Sequence, residues 1–133
     1  MAVRLEPALA AARVGVERAG AQGLRVAIVV LDARFVTVVS LVMDGAYASA
    51  PRVAEAKAFT ALNFGRPSAA TKESVAPENR AALAALEPRL FFAGGGEPVL
   101  EAGQAVGAVG VSGATEAEDA ALARLVAEAL GVD

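Results

Sequence analysis

The chain has 133 residues, of which 56% are hydrophobic, 20% charged and only 5% aromatic, with a net charge of -3 and a pI near 5.0. That is enough apolar material for one domain with one substantial core. The acidic balance argues against a polyanion partner such as nucleic acid, which needs clustered Lys and Arg. With no cysteine and no histidine, disulfides, thiolate metal sites, imidazole relays and the usual zinc or proximal-histidine haem sites are excluded.

In chain order, Pro7 suits the first turn of an opening helix. The apolar stripe of that helix runs Leu9, Ala12, Val16, Ala19 and stops at Gly20 and Gly23. No sustained apolar core precedes a cleavage site in the first residues, and no apolar run approaches a membrane span. The chain therefore reads as cytoplasmic, with no membrane partner. Leu24–Leu31 is β-branched and apolar throughout, as expected of a strand covered on both faces. Asp32-Ala33-Arg34 breaks it, Phe35–Met43 resumes it, and the two form a hairpin whose turn is served by Asp32.

Ser49 and Pro51 open a second helix reaching about Phe64, before Gly65 and Pro67. Arg66–Ala76 is polar and reads as a surface loop. Glu78–Leu86 is a short helix halted by Pro88. Leu90–Phe92, Val99–Glu101 and Ala105–Ser112 read as three further strands, the last two joined at Ala102-Gly103. Thr115-Glu116-Ala117-Glu118 is a capping box that starts the final helix. The expected fold is α+β: helices around a five-stranded antiparallel sheet, in one domain spanning 1–133. Alanine supplies about a quarter of the chain, and small side chains bury little area each. Burying a further face in a homo-oligomer is then expected.

Lys57 stands out chemically. On the second helix it shares a face with Val53, Ala54, Ala58 and Ala61. An ammonium there must reach the edge or meet an anion, because burying it unpaired is costly. One reading has Lys57 bind a ligand carboxylate or phosphate, or pair with Asp44 to shape a pocket. Another makes it a solvated lysine. Gly94-Gly95-Gly96 can turn successive amides toward an anion or oxyanion, or serve only as a tight connection before Pro98. Gly107, Gly110 and Gly113 punctuate the last strand, where each permits close approach of backbone or ligand. Ser112 lies where that strand ends. With no histidine to activate it, a serine hydrolase is not expected. Thr60, Phe64 and Tyr47 complete the candidate lining, and no metal-ligand pattern is present.

Met43-Asp44-Gly45-Ala46, Lys57-Ala58-x-Thr60-Ala61, Gly95-Gly96-x-Pro98 and Gly107-Ala108-x-Gly110-Val111-Ser112-Gly113, in this order, resemble the GlcG/HbpS family. That family, the haem-degrading domain family, includes the C-terminal domain of PduO-type cobalamin adenosyltransferases. The resemblance covers essentially the whole chain. It implies a profilin-like α/β/α sandwich with a five-stranded antiparallel sheet, oligomers and, for some members, haem or a corrinoid as cofactor. Two positions depart from the family's pattern. Val42 stands where an arginine usually precedes Met-Asp-Gly-Ala, and Phe35 where the first hairpin usually carries glycine. Without His or Cys, only Tyr47, Met43 or a lysine is left to ligate iron.

The functional expectation is a small-molecule-binding domain with an anion-accepting pocket, auxiliary to a metabolic or natural-product pathway. The alternative is a cofactor-independent isomerase, lyase or cyclase. In that case Lys57 or Asp44 would transfer the proton and the Gly94–Gly96 amides would stabilise an oxyanion. A partner-binding module is the third possibility.

Overall fold

The structure is a computed structural model that describes residues 3–130. Met1, Ala2 and the last three residues of the expected domain lie outside the described residues. The elements in order are α1 (Leu5–Ala21), β1 (Ala27–Asp32), β2 (Thr37–Val42), α2 (Ala50–Phe64), α3 (Ser68–Ser74), α4 (Pro77–Leu86), β3 (Gly96–Glu101), β4 (Gln104–Ser112) and α5 (Glu116–Ala129).

The four strands pair antiparallel in the order β2-β1-β4-β3. Helices α1 and α5 cover one face over Ile28, Val30, Val99, Val109 and Val111. Helix α2 covers the other, over Ala27, Val29, Leu31 and Ala108. β1 is interior to the sheet and clad on both sides, so all six of its residues are buried. That explains why Ala27–Leu31 are apolar without a break, ahead of Asp32 at the turn. β2 is an edge strand and keeps only Val39 buried.

The fold is thus α+β with five helices and four strands among the described residues; the expected fifth strand is a correction. At Leu90–Phe92 the amide of Phe91 donates to Oγ1 of Thr60 at 2.8 Å. The segment therefore hangs from a helix side chain instead of joining a ladder. The expected loop over Arg66–Ala76 holds α3, in which Ser68 and Thr71 are fully buried. Polarity suggested solvent there, yet both hydroxyls are spent on backbone carbonyls.

α2 lies unusually close to the sheet. Gly96 and Gly110 are register partners on β3 and β4. A Cβ on either would run into the carbonyl oxygens of Lys57 and Ala54. The close approach fixes where every side chain of α2 can go. At the other end, the capping box forms as expected: Thr115 Oγ1 accepts from Glu118 N at 3.1 Å, and Thr115 N donates to Glu118 Oε1 at 3.1 Å.

Candidate functional site

With its backbone against the sheet, α2 sends Lys57 sideways along the end of β4. The side chain passes Gly95, whose φ of 126° and missing Cβ leave room: a methyl there would sit 2.9 Å from Nζ. Nζ then donates to the carbonyl of Val111 at 3.1 Å and to Asp119 Oδ2 at 2.9 Å. Both partners of this ion pair are buried, with side chains 4% and 2% exposed. The other oxygen of Asp119 accepts from Ala114 N at 3.0 Å, so one carboxylate ties α2 to the β4–α5 turn. The expected pairing of Lys57 with Asp44 is corrected here. Asp44 is exposed on the β2–α2 connection, and its own carbonyl accepts from Arg25 Nη1 at 3.2 Å.

The glycine bend does bind an anion, but the anion belongs to the chain. Gly94 N donates to Glu116 Oε1 at 2.8 Å, and Glu116 also receives Lys72 at 3.3 Å. The Gly94 hydrogen bond, helped by Lys72, holds the Glu116 carboxyl below its ordinary value. Gly96 N donates to Ser68 Oγ at 2.8 Å, and the Gly95 carbonyl accepts from Val111 N at 2.8 Å. Two of the donors read as an anion nest are therefore engaged by Glu116 and Ser68.

The structure brings together Lys57, the three glycines and the strand end that carries Ser112, which is 9% exposed. Thr60 is buried nearby on α2, donating to Ala56 O at 2.8 Å while it accepts from Phe91. Phe64 is half-buried, with its ring centroid 6.1 Å from that of Phe92. Asp44 and Tyr47 stand apart on the β2–α2 connection, Tyr47 being 74% exposed. Sequence reasoning missed Asp119 and Ser68. Asp119 carried a usable signal: with Leu122, Ala123, Val126 and Ala127 it forms the buried stripe of α5. A carboxylate on an apolar helix face calls for a partner just as Lys57 does. Among the described residues, no group of three or more Asp or Glu is poised to hold a metal ion.

Residues 3–128 match a family model described as haem-degrading protein, HbpS-like. Among solved structures, the protein ORFY of Klebsiella pneumoniae is 27% identical, with 98% of this chain and 92% of that chain covered and a TM-score of 0.92. A double mutant of Streptomyces reticuli HbpS is 34% identical over 95% of this chain and 85% of that chain, with a TM-score of 0.85. A PduOC–haem complex shares the fold at 24% identity and a TM-score of 0.91, with 100% and 98% covered. No curated protein sequence is significantly similar.

Proposed function

The chain belongs to the HbpS-like family of haem-degrading proteins, and from that membership we propose a small-molecule-binding domain that accepts an anionic ligand and does not transfer protons. The Lys57–Asp119 ion pair carries this choice. An isomerase, lyase or cyclase would need Lys57 or Asp44 as its acid or base. Lys57 is held in the interior by Asp119 and the Val111 carbonyl, Asp44 lies on the surface, and the Gly94 and Gly96 amides have partners. On this reading Lys57, Gly94–Gly96, Thr60 and Ser112 set the receptor's shape from within. Asp44, Tyr47 and Phe64 keep surface with which to meet a ligand.

Haem is the ligand of the related PduOC complex, so it sets the test of fit. An enclosed haem iron needs an axial donor. The chain has no His or Cys. Met43 Sδ accepts from Val26 N at 3.5 Å, Lys57 is ion-paired, and Tyr47 projects into solvent. These residues do not fit an enclosed, axially ligated haem. Recognition of a ligand's acid groups would fall instead to an exposed guanidinium such as Arg25, beside Asp44, since arginine forks suit carboxylates. Such a domain would bind as an auxiliary to a metabolic or natural-product pathway, and as a homo-oligomer.

Parallel titrations with haem and metal-free protoporphyrin IX test this. Comparable binding of the two is expected, since the carboxylates are recognised and the iron is not. Binding that requires iron and shows the Soret signature of axial ligation would overturn it. Native mass spectrometry of the same sample reads any retained molecule and the subunit count; a monomer would remove the oligomer.

A further inference from the structure

A separate cleft of about 310 Å³ runs along another flank of α2, lined by Arg52, Glu55 and Phe59. Phe35 of the first hairpin and Pro88-Arg89 after α4 close it. Its volume lies at the low end of small-molecule pockets, roughly 300–1,000 Å³. Arg89 is already engaged: its Nε and Nη2 grip Glu87 at 2.9 and 2.8 Å, and its guanidinium covers the Phe59 ring 4.2 Å from the centroid.

Arg52 is different. It stands one turn before Glu55, a spacing at which the two would ordinarily pair. Glu55 is instead drawn across to β2, where Oε2 accepts from Thr37 Oγ1 at 2.7 Å. Among the described residues Arg52 is left with no hydrogen bond or ion pair. Opposite it, Phe35 holds a φ of 64°, a left-handed conformation that is sterically unfavourable for a bulky residue. Its ring packs on Phe59 at 4.8 Å between centroids, yet 37% of the residue stays exposed. The hairpin requires that backbone: Phe35 N donates to Asp32 O and Asp32 N to Val36 O, closing a three-residue loop whose last position is left-handed, and the turn sets the Phe35 ring on the cleft wall.

We propose that this cleft binds a small monocarboxylic acid with one aromatic or branched apolar body. The carboxylate meets Arg52, and the body lies against Phe35, Phe59 and Pro88. Glu55, with one oxygen still uncommitted, repels a second acid group and so selects against dicarboxylates. The cleft shares no residue with the Asp44, Tyr47 and Phe64 surface above, so it is a second site and does not rest on that reading.

Calorimetric titration of the intact protein with 3-phenylpropionate tests it, with the neutral 3-phenylpropanamide and succinate as comparisons. The acid is expected to bind about tenfold more tightly than the amide or succinate, the scale of one charge-assisted contact. Arg52→Met should weaken the acid by about tenfold at unchanged melting temperature, since Arg52 is exposed and unpaired. Phe35→Asn, which tolerates the left-handed backbone, should weaken acid and amide alike. Failure of the acid to bind at millimolar concentration, or equal binding by Arg52→Met, overturns the assignment. If protoporphyrin still binds in that event, only the cleft is lost; if neither binds, the anionic-ligand reading falls as well.

Discussion

Lys57 shows how a single side chain is settled by magnitudes. Two buried charges at 2.9 Å are individually expensive to hold, and their pairing roughly offsets that cost. Removing one partner leaves the other stranded. Lys57→Met should therefore cost about 3–5 kcal/mol. Adding Asp119→Asn should recover most of it, because the asparagine oxygen still accepts from Ala114 N while the stranded charge is gone. Urea midpoints of the two variants decide the matter: a near-neutral single variant would mean that the ammonium escapes to solvent. Gly110 poses the same kind of question sterically. Gly110→Ala drives a methyl into the Ala54 carbonyl. The neighbour is helix backbone, not a flexible side-chain end, so a loss of about 3 kcal/mol, at the upper end of overpacking penalties, is expected from the same measurement.

At the scale of elements, the N-terminus of α5 is the most consequential junction. Its first turns hold the cap at Thr115, the anion Glu116 that receives Gly94, and the partner of Lys57. Thr115→Ala should cost about 1 kcal/mol, the usual value of a cap. Amide exchange should rise first at Gly94 and Ala114, whose acceptors sit on that turn; an unchanged exchange pattern would show that α5 is positioned by packing alone. This junction also marks the limit of what the sequence reveals. β1, the first hairpin, α2 and the capping box were legible because their signals are local: periodicity, turn residues and a four-residue box. That Lys57 must meet an anion or reach the edge was legible as well, from a cation on an alanine face. Its partner was not, because Asp119 lies 62 residues away: a carboxylate on the apolar stripe of α5 calls for a cation, but nothing local says which one. Ser68 was hidden for the same reason. Its contacts with Ala93 and Gly96 span 25 and 28 residues, so its surroundings read as loop. Leu90–Phe92 had the composition of a strand, and only the hydroxyl of Thr60 decided otherwise.

For the whole molecule, four carboxyl groups push the acid response in definite directions. Asp32 is lowered chiefly by its hydrogen bond from Arg34, Glu116 by the Gly94 amide, and Glu87, through Arg89, to about 2. A carboxyl whose value is lower in the folded state adds stability above its unfolded value, and that stability is lost as pH falls toward the folded one. For Glu87 the window runs from 4.5 down to about 2. Glu97 on β3 has the opposite sign. Burial raises it, and Arg124, 3.8 Å away and largely exposed, compensates only in part. Ionising it costs stability as pH rises past 4.5. Denaturation midpoints between about pH 2 and 7 should therefore climb steeply at first, as the three favourable groups ionise, and more slowly once Glu97 does. Glu116→Gln should flatten the climb. Glu97→Gln should match the wild type in acid and exceed it at neutral pH, since the variant carries no buried charge to desolvate. A Glu97→Gln protein that is instead less stable at neutral pH would show that the Arg124 pair outweighs burial, and that β3 is fastened to α5 by charge and not only by its apolar residues.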